Sequence, residues 1–223
     1  ADNGLTVIGA IGFAKWVVND DAVRRDGLEE MTRDMERVAQ LGGRFIAASP
    51  AGVNAAGYVL EQNAAADRYH TLLELGKTIG VTPVLEFWGA ASNLNTLECS
   101  LHVAAAARHP DACILADAYH LYKGNSALDG LRFLPQAKLP IFHINDYPAA
   151  PPRETIRDAD RIWPGDGIAP FEQILSIITS TGANPWFSLE LFNTSYWEKP
   201  VTEMMKTGYE KTRRCLTSHT VSR

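Results

Sequence analysis

The chain has 223 residues, of which 46% are hydrophobic and 21% are charged, and its formal net charge is −5. This composition is typical of a globular protein with a sizeable core. The acidic balance and the lack of a Lys/Arg cluster argue against a nucleic-acid partner. No apolar run reaches the roughly 18 residues that a membrane span needs, so no membrane partner is expected.

The cysteines bear on the cellular compartment. Cys99, Cys113 and Cys215 are scattered and show no C-x-x-C spacing, which favours a reducing compartment over a disulfide framework or a zinc ribbon. No secretory signal is recognisable at the start of the sequence. We therefore expect a cytoplasmic protein. Export stays open, because the sequence does not begin with Met and an upstream segment could have been removed.

Six short apolar segments predict strands, and segments with helical periodicity alternate with them. The predicted strands cover residues 5–13, 44–48, 81–88, 112–116, 139–145 and 185–191. The predicted helices cover residues 26–41, 64–79, 95–108, 127–134, 170–181 and 201–216. In the first helix Met31, Met35 and Val38 recur on one face. This alternation predicts an α/β protein with a parallel sheet.

Two architectures fit this pattern, a doubly wound open sheet and a (β/α)8 TIM barrel. The glycine motifs of Rossmann and P-loop proteins are absent. Polar side chains follow four different strands, which favours the barrel, because an open sheet concentrates its site at one switch point. About six βα units are visible where a barrel has eight. We therefore expect a single TIM-barrel domain over residues 1–223 from which the N-terminal units are missing.

Four predicted strands end in a side chain that can bind a metal: Glu86, Asp117, His143 and Glu190. Each of them alone could instead cap a helix or pair with an arginine. Their recurrence at equivalent strand ends predicts one metal site, because these ends converge in a barrel. Three carboxylates and one imidazole suit one divalent ion, Mn²⁺, Mg²⁺ or Co²⁺, and Zn²⁺ is also compatible.

Further residues near these strand ends are candidates for substrate binding. His120 could hydrogen-bond a substrate oxygen, or serve only at the start of a helix. Asn145 shares a strand face with the histidine two residues before it, and Asp146 could orient that histidine or hold the following loop. Arg161 could bind a hydroxyl group or an oxyanion, with a surface ion pair as the alternative. Trp88 offers an aromatic face to a sugar, unless it belongs to the core.

Five motifs, taken in chain order, resemble the pattern of a known protein family. They are Leu-Glu-Phe-Trp-Gly (85–89), Ala-Asp-Ala-Tyr-His (116–120), Phe-His-Ile-Asn-Asp (142–146), Pro-Gly-Asp-Gly (164–167) and Ser-Leu-Glu-Leu-Phe (188–192). This set resembles the sugar phosphate isomerase/epimerase family, which belongs to the xylose-isomerase-like TIM barrels. Two details depart from the family pattern: Asp166 replaces the usual glutamate, and Ser92 stands where ketose 3-epimerases carry another glutamate.

The resemblance implies a metal-dependent isomerase or epimerase that acts on a sugar or related polyol through an enediolate. It implies that Glu86 and Glu190 are the acid/base pair and that they bind the metal with Asp117 and His143. It also implies that His120 and Arg161 contact the substrate.

Three alternatives stay open. The same residues could serve a lyase or dehydratase acting on a keto-sugar, keto-inositol or keto-glycoside. A nuclease would share the barrel, but the acidic balance disfavours DNA. A sugar-binding barrel could lack catalysis altogether. The expected partner is a small sugar, and the sequence leaves open whether the protein is a homo-oligomer.

Overall fold

A computed structural model describes residues 4–219 of the chain. These residues belong to two compact units, Ala1–Leu115 and Ala116–Arg223, which are described separately below. The expected single domain over residues 1–223 stays a prediction.

The described residues contain six strands and seven α-helices. The strands are β1 (Gly9–Ala10), β2 (Phe45–Ala48), β3 (Thr82–Glu86), β4 (Ile114–Asp117), β5 (Ile141–Ile144) and β6 (Trp186–Leu189). The helices are α1 (Asp21–Gln40), α2 (Gln62–Ile79), α3 (Leu97–Ala106), α4 (Ala118–Lys123), α5 (Phe171–Ser180), α6 (Thr194–Trp197) and α7 (Val201–His219). The sheet order is β1-β2-β3-β4-β5-β6, and the described pairings are parallel. The predicted α/β class with a parallel sheet is confirmed.

The helices of the first unit begin and end at residues that the sequence marks clearly. The Asp20 side chain caps α1 by accepting the N–H groups of Ala22 and Val23, each at 2.9 Å, which satisfies two donors of the first turn. Gly80 ends α2 with a left-handed φ of 85°, a conformation that glycine adopts without strain. Asp20 therefore marks the start of α1, and Gly80 marks the end of α2.

The core of the first unit forms where α1 and α2 pack near β2 and β3. Met31 and Met35 of α1 are fully buried, as are Trp16 and Tyr69. The Tyr69 hydroxyl lies 2.9 Å from the carbonyl oxygens of both Pro83 and Cys113, so the helix is tied by a polar contact to β3 and to the residue before β4. The buried hydroxyl is therefore hydrogen-bonded, as burial requires.

In the second unit, β4 leads directly into α4. Asp117 ends the strand, and its side chain accepts the N–H of His120 at 3.0 Å, so the aspartate is the N-cap of α4. Tyr119 of this helix forms a small buried cluster with Tyr147 and Ile156. The strand end and the helix start are therefore fixed by the same carboxylate.

Three of the predicted elements take another form in the structure. The first strand is only two residues long, and Leu5 and Phe13 within the predicted strand are exposed. The predicted helix at residues 127–134 is a 3-10 helix, Leu128–Phe133. Strand β6 has an apolar sequence, but it is not buried, since Trp186 is 53% exposed. Among residues 4–219, no helix combines the length and the apolar character needed to cross a membrane.

Candidate functional site

The second unit gathers buried polar side chains at the carboxyl ends of its strands. His143 lies in β5, and Glu190 directly follows β6, which pairs with β5. The Nδ1 atom of His143 is 3.4 Å from Oε2 of Glu190 and 3.7 Å from Oδ2 of Asp117. Six of the residues predicted for the site are brought together in this unit: Asp117, His120, His143, Asn145, Arg161 and Glu190.

Arg161 lies at the centre of this cluster, and its side chain is 1% exposed. Its Nη1 atom donates to Glu190 at 2.7 Å and to Asp117 at 3.2 Å. Its Nη2 atom contacts Asp158 Oδ1 and lies 3.2 Å from Nε2 of His120. The predicted alternative of a surface ion pair is wrong, because the guanidinium is buried between carboxylates.

Ionisation of the cluster follows from these contacts. Burial alone would raise the pKa of Glu190, but hydrogen bonding to His143 and the charge of Arg161 lower it to about 2. Burial would lower the pKa of Arg161, and the carboxylates of Asp117, Glu190 and Asp158 more than reverse this effect. Glu190 is therefore a carboxylate, and Arg161 a cation, at neutral pH.

His120 and Asn145 are held by hydrogen bonds within the same unit. Burial lowers the pKa of His120, although the carboxylate of Asp117 opposes this effect. Asn145 is fully buried; its amide donates to Asp117 Oδ2 at 2.9 Å and accepts the N–H of Tyr119 at 3.0 Å. The contacts of both residues with a substrate stay predictions.

Asp146 organises the loop that contains the Pro-Gly-Asp-Gly motif. One of its carboxylate oxygens accepts the N–H groups of Tyr147 and Ala169, and the other accepts those of Gly165 and Gly167, at 2.8–3.0 Å. Burial raises the pKa of Asp146, and the four N–H donors oppose that rise. Of the two roles predicted for this residue, the structure bears out that of holding the loop.

Backbone hydrogen bonds join the loop to the strand end as well. Asp146 and Ile162 exchange two hydrogen bonds, at 2.9 and 2.8 Å. Arg161 therefore directly precedes a residue that is fixed just beyond the end of β5, the strand of His143. This arrangement explains how a long irregular connection can hold the guanidinium group of Arg161 in a defined position.

Two predicted site residues lie in the first unit. Glu86 ends β3 and is 2% exposed. Trp88 follows it and is half-buried, and its ring centroid lies 6.1 Å from that of Phe13, which is exposed. The predicted roles of Glu86 in metal binding and catalysis, and of Trp88 in substrate binding, stay predictions.

Sequence reasoning did not predict that three further residues contact the guanidinium of Arg161. Asp158 shares the guanidinium with the predicted site residues. The guanidinium carbon lies 4.4 Å from the Tyr119 ring centroid and 5.1 Å from that of Phe192. The spacing of Asp158 three residues before Arg161 was the available signal, but it was not distinguishable from an ordinary local ion pair.

Comparison with known proteins identifies the family. The model of the xylose isomerase-like TIM barrel family matches residues 1–218, so the chain belongs to this family. This match confirms the predicted fold class and the family resemblance drawn from the five motifs.

Individual relatives carry more specific names. An inosose isomerase from Bacillus licheniformis is 27% identical over 197 residues, which cover 86% of this chain and 70% of the relative. A crystal structure of the IolI protein with a bound zinc atom has a TM-score of 0.86 and 22% identity, covering 97% of this chain and 78% of that one. A structure of L-ribulose 3-epimerase has a TM-score of 0.79 and 21% identity, covering 98% and 77%. At these identities the two structural matches establish the fold alone.

Proposed function

We propose that this protein is a divalent-metal-dependent isomerase or epimerase acting on a sugar or a keto-inositol. One observation carries the proposal. An ionised, largely buried carboxylate, Glu190, lies 3.4 Å from the imidazole of His143, at the carboxyl ends of paired parallel strands. Active sites of barrels of this family type lie at these strand ends.

The donor chemistry fits a divalent ion. We propose that Glu86, His143 and Glu190, whose side chains are of metal-binding types, hold the metal, with Asp117 as the predicted fourth ligand. Two of the three are carboxylates and one is an imidazole, which suits Mn²⁺, Mg²⁺, Co²⁺ or Zn²⁺. Glu190 is ionised at neutral pH, as a ligand has to be. The positive charge of Arg161 offsets part of the negative charge of Asp117 and Glu190.

The chemistry follows from the acid/base properties of the residues. When bound, a divalent ion would polarise a substrate carbonyl group. We assign Glu190 and Glu86 to proton transfer at the carbons next to that carbonyl. One glutamate, as the carboxylate, takes a proton from carbon and leaves an enediolate, and the other, as the carboxylic acid, returns a proton to the opposite face or to the adjacent carbon. Because the pKa of Glu190 is low, the acidity of the C–H bond has to supply the driving force.

The substrate class rests on the relatives. The curated relatives are named inosose isomerases, and structural neighbours are named as epimerases of L-ribulose and of a 3-keto-glucoside. These names share a carbonyl group flanked by hydroxyl-bearing carbons. We therefore propose a polyhydroxylated ketone as the substrate, with a keto-inositol as the first compound to test.

Deuterium exchange tests the proposal. The protein is incubated in D₂O with Mn²⁺ and a panel of inososes and ketoses, and deuterium at substrate carbons is followed by NMR. We expect exchange with at least one compound, and none with Glu190→Gln. Glu198→Gln, which changes an exposed glutamate of the same segment, is the matched control and should exchange normally.

Two outcomes would contradict the proposal. If no divalent ion binds in a calorimetric titration with Mn²⁺, Mg²⁺, Co²⁺ and Zn²⁺, the metal site is wrong. If the product contains a new C=C bond and no isomer or epimer forms, the protein is a lyase. Glu86→Gln should weaken metal binding, whereas Glu198→Gln should not.

A further inference from the structure

The hydrogen-bond donors of Arg161 are almost fully used by the protein itself. Each of its terminal nitrogens carries two hydrogens. Those of Nη1 face Asp117 and Glu190, and those of Nη2 face His120 and Asp158. Only the Nε–H remains, and within residues 4–219 it has no hydrogen-bond partner. The terminal donors of Arg161 are therefore committed to positioning neighbouring groups.

Two kinds of contact restrain the guanidinium. The rings of Tyr119 and Phe192 lie 4.4 and 5.1 Å from its central carbon, and such aromatic contacts favour a fixed orientation of the guanidinium plane. They do little to oppose rotation within that plane. That rotation is resisted by the hydrogen bonds, of which Asp158 supplies the one that comes from outside the predicted site.

We propose that Asp158 is a positioning residue, which holds Arg161 so that Nη1 bridges Asp117 and Glu190 while Nη2 donates to His120. Asp158 contacts Arg161 through Oδ1 and lies in the 3-10 helix Asp158–Asp160, one turn before the arginine. Its side chain is 49% exposed, so it faces solvent on one side and the buried guanidinium on the other. It acts through Arg161 and does not itself touch the proposed reacting groups.

The arrangement fixes the tautomer of His120. A guanidinium can only donate, so Nε2 of His120, 3.2 Å from Nη2, has to accept. A neutral imidazole that accepts at Nε2 carries its proton on Nδ1. Without Asp158, the guanidinium could turn in its plane and release Nε2, and the Nε2–H tautomer would then become populated. The tautomer of His120 therefore reports directly on the position of Arg161.

Long-range ¹H–¹⁵N NMR of histidine-labelled protein measures this tautomer, without substrate and with or without Mg²⁺. The His120 signal is identified by its absence in His120→Gln. We expect the Nδ1–H tautomer in the native protein and a mixture of tautomers in Asp158→Ala. Asp158→Asn keeps an oxygen acceptor and should restore most of the native signal. Glu154→Ala, which removes an exposed acid from the same loop, should leave the signal unchanged.

Kinetics provide the second readout. It rests on the proposed function, because Arg161 contacts Glu190, the proposed acid/base group, and His120, the predicted substrate contact. With the compound that exchanges deuterium fastest, Asp158→Ala should lower kcat about 10-fold or more while KM changes little, because misplaced catalytic groups slow the chemical step. Asp158→Asn should recover much of kcat, and Glu154→Ala should match the native protein.

The outcomes separate this inference from the proposed function. A native Nε2–H tautomer, or an unchanged His120 signal in a folded Asp158→Ala protein, would overturn the role of Asp158 and leave the proposed activity intact. Absence of deuterium exchange in the native protein would overturn the proposed activity, and the NMR result would still decide the role of Asp158. If Asp158→Ala does not fold, Asp158→Leu, which also removes the acceptor, decides: a mixture of tautomers supports the inference, and a native tautomer contradicts it.

Discussion

Gly167 donates its backbone N–H to the carboxylate of Asp146 at 2.9 Å, and no side chain fits at this glycine. A Cβ atom there would overlap the carbonyl oxygen of Tyr147 and Oδ1 of Asp146. Both atoms are held in place, the first by the backbone and the second because its carboxylate accepts four hydrogen bonds. We therefore expect Gly167→Ala to lower the free energy of unfolding by about 2–3 kcal/mol, measured by urea denaturation.

Gly165 of the same loop is the matched control for that substitution. Its φ is +84°, but a Cβ atom there would meet nothing within 4 Å. Gly165→Ala should therefore cost only the backbone strain of a left-handed alanine, about 1–2 kcal/mol. If the two variants lose equal stability, steric overlap at Gly167 does not explain its effect.

Asp146→Asn tests the carboxylate that organises this loop. Each oxygen of Asp146 accepts two N–H groups, and an amide nitrogen in place of one oxygen would face two donors. Two hydrogen bonds would be lost in a buried place, so we expect a loss of about 2–4 kcal/mol in the free energy of unfolding. Thermal and urea unfolding, monitored by circular dichroism, measure this loss.

The control for Asp146→Asn is Asp166→Asn, in the middle of the same loop. Asp166 forms an ion pair with Lys211, and both side chains are about one third exposed. Such a pair contributes little to stability, so this variant should unfold within about 1 kcal/mol of the native protein. A native-like Asp146→Asn protein would mean that the loop does not depend on the carboxylate.

Tyr69→Phe tests the polar contact in the core of the first unit. The substitution removes the hydroxyl that lies 2.9 Å from the carbonyl oxygens of Pro83 and Cys113. Since these buried oxygens cannot reach water, we expect a loss of about 1–3 kcal/mol. Tyr58→Phe also removes a hydroxyl, but one whose partner, the N–H of Asn19, is exposed, so it should cost less. Equal losses in urea unfolding would contradict this account.

Cys215 predicts how stability depends on alkaline pH. Burial, aided by the charge of Asp146, raises the pKa of its thiol from 9.0 to about 12. The folded protein therefore keeps a proton that the unfolded chain releases above pH 9. The stability linked to this proton is fully present below pH 9 and is lost as pH rises toward 12, at up to about 1.4 kcal/mol per pH unit.

Removal of the thiol should flatten this dependence. Cys215→Ala is expected to lose less stability than the native protein between pH 8 and pH 10.5, by about 1–2 kcal/mol. Between pH 6 and pH 8 the difference between the two proteins should stay constant, which provides the internal control. Parallel unfolding curves for the two proteins up to pH 10.5 would show that Cys215 does not titrate as described.

The sequence predicts the strand ends well, because an acid or histidine that follows a short apolar run is conspicuous. It gave Asp117, His143 and Glu190, whose side chains meet in the second unit. Asp158 was missed, because irregular connections have no periodicity from which a contact can be read. Helix α4 was missed as well, since Asp117 ends the strand and caps the helix with no intervening turn.

The first strand was predicted too long, and the cause is local. The run at residues 5–13 has strand-forming residues throughout, but only Gly9 and Ala10 pair with β2. Propensity describes what a segment can form, whereas the length of a strand is decided by the partner residues available. The same limit applies to Trp186, whose exposure depends on which elements cover β6.

The four N–H groups gathered by Asp146 give an irregular loop the exchange behaviour of regular structure. Amide hydrogens exchange with solvent only when their hydrogen bonds open. Because one carboxylate binds the amides of Tyr147, Gly165, Gly167 and Ala169, they should be protected together and released together. Hydrogen–deuterium exchange should therefore find a cooperative unit in a segment without a strand or an α-helix, exchanging far more slowly than the exposed turn at residues 54–57.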